Sequence, residues 1–109
     1  MKINTKLAEG KWVNYNEKVK FKIRAFPTDE LKLLTDEFTP NQVIGKIMCE
    51  YSVMDWEGFE DEDDKKYICN DDNKSYLLNY YDEISNFLII EVRNLKNVEP
   101  RTVKKTSKK

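Results

Sequence analysis

Residues 18–24 of the chain, Lys-Val-Lys-Phe-Lys-Ile-Arg, alternate strictly between basic and apolar side chains. A period of two residues is typical of a β-strand with one buried and one solvated face. The preceding segment, residues 11–15, is rich in aromatic and β-branched residues and predicts another strand. Asn16 and Glu17 would join the two strands as a hairpin, so the N-terminal part of the fold is predicted to be antiparallel sheet.

A helix is predicted after this hairpin, beginning near Pro40. Thr39, Pro40 and Gln42 match a capping box with proline at the first helical position. The apolar side chains that follow recur at helical spacing on one face: Val43, Ile44, Ile47, Met48 and Tyr51. We expect that stripe to face the core. Residues 28–34 predict a shorter helix before it.

The next segment predicts a strand, an acidic loop and another helix. Residues 52–59 alternate well enough for a strand, and residues 60–66 are mostly acidic. Asn70 can cap a helix over residues 71–80. The fold class is therefore α+β: a small antiparallel sheet, made of the N-terminal hairpin plus the strand near 52–59, packed against three to four helices.

The last helix is predicted over residues 83–96, after a cap at Asp82, and it is unusually apolar. The run 87–92 also fits a strand, but the lack of turn-forming residues around it favours the helix. Apolar side chains cover more than half of the helix circumference. Two interpretations stay open: a central buried helix, or a helix whose flank contacts a protein partner or a second copy of the chain. In the second, the candidate contact residues are Phe87, Ile89 and Ile90.

The length of 109 residues is enough for one domain. Residues 1–10 are polar and predicted to be flexible, residues 11–98 form the single domain, and residues 99–109 are predicted to be a disordered basic tail. No apolar run approaches the ~20 residues that span a bilayer, and the first residues lack the apolar stretch of a signal peptide. The protein is therefore expected to act in the compartment where it is made.

The composition excludes several kinds of site. The chain has no histidine, which removes histidine-dependent bases, nucleophile pairs and metal ligands. Its three glycines form no phosphate-binding pattern, and its two cysteines predict reduced thiols rather than a disulfide framework or structural zinc. The acidic run 61–64 does not match an EF-hand loop, because Lys66 stands where such a loop needs glycine. We expect no enzyme activity, no metal and no cofactor.

The solvated face of the basic strand offers an alternative function. Its cations are Lys18, Lys20, Lys22 and Arg24. Such a row can follow a phosphate backbone, and Trp12 and Tyr15 nearby can stack on bases. Lysines also protect an ordinary strand edge, and the net charge of −1 argues against a nucleic-acid surface. The solvent-face interpretation is favoured, and nucleic-acid binding is kept as the alternative.

A set of short motifs spans most of the chain. In chain order they are Trp12-Val13, Lys22-Ile23-Arg24, Asp55-Trp56-Glu57-Gly58, Asp61-Glu62-Asp63, the cap at Asn70 with Asn73 behind it, and Asn94-Leu95-Lys96-Asn97. With this order of elements, residues 11–98 resemble the tail assembly chaperone-like proteins of tailed bacteriophages. That family usually has glycine where Asp64 stands and often proline where Asp82 stands.

The resemblance implies a non-enzymatic morphogenesis factor of the virion. Such a protein binds the long helical tape-measure protein in the host cytoplasm before the tail tube forms around it, and is then released. The family-motif residues are Asp55, Trp56, Glu57 and Gly58, and the partner is the tape-measure or another tail protein. A homo-oligomer is left open, and neither a membrane nor nucleic acid is expected. The alternatives are a minor virion structural protein, or a small nucleic-acid-binding or host-takeover module.

Overall fold

The computed structural model describes residues 1–30, 36 and 38–97 of the chain. Its regular elements are, in order, β1 (Lys11–Asn14), β2 (Lys20–Ile23), α1 (Asn41–Ser52), β3 (Val53–Glu57), α2 (Asp71–Tyr80) and α3 (Asp82–Asn97). Residues 28–30 are also helical. The rest of the helix predicted over 28–34 and the basic tail predicted over 99–109 lie outside the described residues. The α+β class is confirmed.

The central strand of the sheet is β2. In the described part of the chain the sheet has three antiparallel strands in the order β1-β2-β3. The alternation predicted for residues 18–24 is confirmed, because their apolar side chains are buried: Val19, Phe21 and Ile23. The basic side chains lie on the opposite face, as a period of two requires. This strand therefore separates the core from a solvated sheet face.

The third strand contains a β-bulge at Met54. The pairing of β3 with β2 is irregular between Lys22 and Ile23, and Met54 has no partner in the register. A bulge adds one residue to one strand and reverses the alternation beyond it. Val53 and Trp56 are three residues apart, yet both are buried. The bulge is what allows both side chains to point into the same core.

The helices cover the apolar face of the sheet. The buried stripe of α3 recurs every fourth residue, as expected for a helix that packs along its length. Burying an apolar side chain of this size contributes roughly 1.5–3 kcal/mol to folding. The largest fully buried apolar side chains come from β2, β3, α2 and α3: Phe21, Ile23, Val53, Trp56, Leu78, Leu88 and Val92. The residues predicted as a helix over 87–92 are helical in the structure.

The start of α1 differs from the predicted capping box. The helix begins at Asn41, and the residue before it, Pro40, makes no side-chain cap hydrogen bond. The Thr39 hydroxyl is used elsewhere: it donates to Oδ1 of Asp36 at 3.0 Å and accepts from the Asp36 N–H at 3.0 Å. A tight turn before the helix therefore takes the hydroxyl that the capping box required.

The buried face of α1 also differs from the predicted apolar stripe. The residues that α1 buries are Gly45, Met48, Cys49 and Ser52, whereas Val43 is 43% exposed. A Cβ at Gly45 would lie 2.7 Å from Cδ1 of Ile89 on α3. The small residue lets α3 approach α1 closely at this point. The stripe prediction is confirmed for Met48, which is buried, and for Tyr51, which packs partly buried against the core, and it is wrong for Val43.

The segment that follows β2 is held from two sides. The Ala25 N–H donates to the Leu7 carbonyl oxygen at 2.9 Å. Near the end of α3, Nζ of Lys96 donates to the Phe26 carbonyl oxygen at 3.2 Å and lies 3.3 Å from Oγ1 of Thr28. Leu7, in the segment predicted to be flexible, therefore contacts the folded body, and the two ends of the described chain brace the same segment.

The cap of α2 is confirmed. The Asn70 side chain accepts from the Asn73 N–H at 2.8 Å, and α2 covers residues 71–80 as predicted. A single residue, Tyr81, separates α2 from α3. The last helix begins at Asp82, so this residue lies in its first turn instead of capping it. A carboxylate there still favours the helix dipole.

Candidate functional site

Trp56 is a structural residue of the core. It is 2% exposed, and its Nε1–H donates to the Tyr67 carbonyl oxygen at 2.7 Å. Its ring stacks parallel to the Tyr67 ring with 5.9 Å between centroids, and it meets Phe21 and Phe59 edge to face. Buried indole N–H groups need such a partner. Trp56 therefore ties the sheet to the return of the acidic loop.

The other residues of the Asp55–Gly58 motif also have structural roles. Glu57 pairs with Lys20 at 3.5 Å, and Oδ1 of Asp55 accepts from the next backbone N–H at 2.8 Å. Gly58 has φ of +100°, and a Cβ there would overlap the backbone carbonyl of Lys18. The motif thus packs the end of β3 against the turn between β1 and β2.

Arg24 is engaged inside the protein. Its Nε and Nη2 donate to the Tyr51 carbonyl oxygen at 3.3 and 3.1 Å, and its guanidinium lies 4.1 Å from the centre of the Tyr51 ring. A cation at the last carbonyls of α1 stabilises that helix. At the other end of the basic row, Lys18 lies before β2 and is exposed.

The two middle lysines of the row face acidic or aromatic neighbours. Nζ of Lys20 lies 3.5 Å from the Glu57 carboxylate and 5.0 Å from the centre of the Trp12 ring. Lys22 is paired with Asp55 in the register of the sheet, so the two share the solvated face. Two carboxylates of β3 therefore lie beside the middle of this row of cations and partly offset its positive charge.

The three contact candidates on α3 have different surroundings. The Phe87 ring packs edge to face against Tyr15 at 5.1 Å, and Ile89 lies over Gly45 of α1. Both are partly buried against the core. Ile90 is 57% exposed. Of the three, Ile90 is the one whose apolar surface the described part of the chain leaves open to solvent.

A groove lies between the acidic loop and α2. It has a volume of about 770 Å³ and ends at the start of α3. Leu77 and Ile84 of the core contribute to its lining. The aromatic side chains that line it are Phe59, Tyr67, Tyr76 and Tyr81. We name it the tyrosine groove, defined by these four residues and the carboxylates that share its lining.

The tyrosine groove is acidic. Its carboxylate side chains are Glu60, Asp61, Glu62 and Asp72, and within the described residues no lysine or arginine lines it. The lysine of α2 is directed elsewhere: Nζ of Lys74 donates to the carbonyl oxygens of Glu50 and Val53 at 3.0 and 3.2 Å. The groove therefore combines an aromatic surface with four carboxylates.

The pKa of the Tyr67 hydroxyl is affected by the groups around it. Burial raises the pKa of Tyr67, and Tyr76, Tyr81 and Glu62 raise it further, because each disfavours a second negative charge nearby. These side chains come from the acidic loop, α2 and the residue between the helices. Side chains from three parts of the chain therefore lie close enough to the Tyr67 hydroxyl to affect its ionisation.

The acidic loop is shaped by hydrogen bonds from its backbone N–H groups to the side chain of Asp61. Oδ1 of Asp61 accepts from the N–H groups of Asp63 and Lys65 at 2.8 and 3.1 Å. Asp64 has φ of +62°, a conformation that glycine and aspartate both adopt. Aspartate at this position is therefore compatible with the turn. The turn fixes where the neighbouring carboxylates stand.

The described residues contain neither a cluster of potential metal ligands nor a helix that could span a bilayer. No group of three or more potential metal ligands comes together in residues 1–30, 36 and 38–97. In that same part of the chain no helix combines the length and the apolar character needed to cross a bilayer. Both cysteines there are free thiols: Cys49 is buried and Cys69 is partly exposed.

The free energy of unfolding should fall at alkaline pH because of the buried thiol of Cys49. Burial raises the pKa of this thiol from 9.0 to about 12. Above pH 9 the unfolded thiol loses its proton while the folded one keeps it, so the contribution of Cys49 is complete below pH 9 and declines above it. The stability difference between wild type and Cys49→Ala, measured by urea unfolding, should shrink by about 1.4 kcal/mol between pH 8 and pH 10.

The Cys69→Ala variant is the matched control for this measurement. Burial also raises the pKa of Cys69, but this thiol is partly exposed, so the same comparison should give a smaller change. A stability difference for Cys49→Ala that stays constant from pH 8 to pH 10 would contradict the assigned burial.

The sequence contained no direct signal for the tyrosine groove. Its lining comes from three separate segments, residues 59–67, 72–77 and 81–84, which only the packing of α2 beside the acidic loop brings together. One hint existed: Tyr76 lies off the side of the helix that carries Leu77 and Leu78. Exposed aromatic rings in such positions are typical of binding surfaces.

No family model, curated protein or solved structure matches this chain.

Proposed function

We propose that the chain is a non-enzymatic morphogenesis factor of a tailed bacteriophage, a tail assembly chaperone that binds the tape-measure protein. A factor of this kind holds another polypeptide without changing its covalent structure. It needs a surface that is concave or apolar and that its own core does not fill.

The tyrosine groove is the observation that supports this proposal most. It is open to solvent, its volume of about 770 Å³ is within the usual range of binding sites, and four aromatic rings line it. Tyrosine supplies a large contact area at a low cost in side-chain entropy and keeps a hydroxyl for hydrogen bonding. A polypeptide segment fits such a surface well.

Ile90 supplies a second candidate contact. At 3.6 residues per turn it lies about 160° around α3 from the buried stripe of Ile84, Leu88 and Val92. The side chain therefore faces away from the protein's own core. An amphipathic helix of a client would cover it by helix-to-helix packing.

Co-expression with the tape-measure protein of the same phage tests the proposal. The wild-type chain should be recovered in a complex with it, and Ile90→Asp should reduce the recovery about tenfold, since a charge replaces a buried isobutyl-sized contact. Ile3→Asp is the control, because it makes the same chemical change at an exposed isoleucine outside α3. Its recovery should match that of the wild type.

Two results would contradict the proposal. One is the absence of any complex with the tape-measure protein. The other is the presence of the chain in stoichiometric amounts in purified particles by mass spectrometry, because a chaperone leaves before the tail is complete. That second result would identify a minor structural protein of the virion.

A further inference from the structure

We propose that the tyrosine groove binds an extended arginine- and lysine-rich segment of a protein partner. This inference rests on the proposed protein-binding function and adds the chemistry of the bound segment. The groove residues that argue for it are Glu60, Glu62, Asp72, Tyr67, Tyr76 and Tyr81.

Charge is the first argument. Carboxylates from the acidic loop and from α2 line the groove, and within the described residues no cation lines it. One carboxylate oxygen of Asp61 accepts hydrogen bonds within the turn of the loop, whereas Glu60 and Glu62 on either side of it are exposed. A neutral or acidic segment would bury these charges without a partner, which costs free energy. A cationic segment is the complementary occupant.

The mixture of aromatic rings and carboxylates is the second argument. One face of the Tyr67 ring is stacked on Trp56, which holds the ring in place at the groove wall. The Tyr76 ring leans against Tyr80, with 4.7 Å between centroids. Fixed rings beside carboxylates suit arginine, whose guanidinium stacks on an aromatic face and donates two hydrogen bonds to a carboxylate.

The spread of the carboxylates argues against a single cation. Within the described residues the acidic side chains of the groove do not form a cluster that can hold a metal ion. They are distributed over the loop and the first turn of α2, along a groove of about 770 Å³. An extended peptide carries several cations at intervals, with apolar stems that cover the rings between them.

The basic residues 101–109 of the chain itself have the same chemistry. However, α3 runs from Ile84 at the groove to Asn97, which carries the chain about 20 Å away at 1.5 Å per residue. Because the proposed function needs a surface that another polypeptide can reach, we assign the groove to a partner segment. The variant of residues 104–109 described below tests the chain's own basic residues.

Binding of a labelled peptide of alternating arginine and serine to the full chain tests the inference. Fluorescence anisotropy at low salt should show saturable binding, and the same peptide with glutamine for arginine should not bind. Glu62→Lys should weaken the binding about tenfold, and Asp63→Lys less than about twofold. Both changes reverse one charge of the same loop, but only Glu62 lines the groove.

A second pair of variants tests the rings. Tyr76→Ser should weaken the binding about fivefold, because it removes a cation–π contact. Tyr80→Ser should weaken it less than about twofold, because Tyr80 supports the Tyr76 ring but does not itself line the groove. Unaltered circular dichroism of all variants shows that each is folded. Absence of saturable peptide binding, or equal losses in Glu62→Lys and Asp63→Lys, would overturn the inference.

The occupant is tested in the full-length chain by changing the lysines of residues 104–109 to serine. Unchanged peptide affinity supports a partner segment, and an increase of about tenfold would show that the chain's own residues compete for the groove and overturn the assignment. Failure of the proposed function is distinguishable. If the complex with the tape-measure protein forms with Glu62→Lys but not with Tyr76→Ser, only the assignment of a cationic segment to the groove is contradicted. If the peptide binds but no complex with the tape-measure protein forms, only the proposed function is contradicted.

Discussion

Replacing Trp56 by alanine is expected to lower the free energy of unfolding by about 4 kcal/mol. The change removes the stack on Tyr67, the edge-to-face contacts with Phe21 and Phe59, and the hydrogen bond from Nε1–H to the Tyr67 carbonyl oxygen. Small domains have only about 5–15 kcal/mol in total, so the variant should be close to unfolded at 37 °C. Urea unfolding followed by circular dichroism measures the loss.

Trp12→Ala is the matched control for this prediction. Trp12 is the other tryptophan of the chain, is 38% exposed, and lies on the solvated face of the sheet beside Lys20. Its removal should cost less than about 1 kcal/mol. Comparable losses in the two variants would mean that Trp56 is not the anchor of the acidic loop.

Replacing Gly58 by alanine is expected to cost about 3 kcal/mol, the second largest effect. Its φ of +100° lies where residues with a side chain are strained. In addition, a Cβ would overlap the carbonyl of Lys18, which is backbone and moves only if the strand moves. The variant should therefore lose stability and also disturb the pairing of β2 with β3. The urea midpoint gives the stability, and amide hydrogen exchange in β2 gives the pairing.

Gly45→Ala makes the same chemical change in a different setting. At Gly45 the new Cβ meets the terminal methyl group of Ile89, a flexible side chain that can shift. Alanine also favours a helix over glycine by about 0.8–1.0 kcal/mol, which offsets the crowding. The expected net cost is below about 1 kcal/mol. A loss as large as that of Gly58→Ala would show that the backbone conformation at Gly58 is not the cause.

The strands and helices could be predicted where local pattern and structure agree. Residues 18–24 alternate with a period of two, and the strand that they form has one buried and one solvated face. The Asn70 side chain caps α2 because an asparagine oxygen before a helix satisfies a free N–H. The run 87–92 is helical, as the lack of turn residues around it predicted. These features depend on neighbours in the sequence.

Other features failed because they depend on contacts between distant segments. The buried face of α1 is set by the approach of α3 to Gly45, and no apolar count within α1 reveals that contact. The Thr39 hydroxyl bonds to Asp36, a competing local partner that the capping pattern did not include. The bulge at Met54 lets Val53 and Trp56 share the core, which no period of two predicts.

The candidate site was predictable only in part. Sequence spacing singled out the exposed Ile90, but it grouped this residue with Phe87 and Ile89, which pack against the core. The tyrosine groove was not predicted, because its walls are contributed by a loop, a helix and an inter-helix residue. The spacing of residues in the sequence does not indicate which exposed rings and carboxylates become neighbours across the groove.

By itself the sequence determined the α+β class, the alternation of β2 and the helical segments, because each depends on interactions within a few residues. It also determined that any chemistry proceeds without histidine. The tertiary structure alone decided that Trp56 and Gly58 are structural, that carboxylates of β3 lie beside the basic row, and that aromatic and acidic side chains meet in one groove. These outcomes depend on the distances between residues far apart in the chain, which are fixed only when the core is packed.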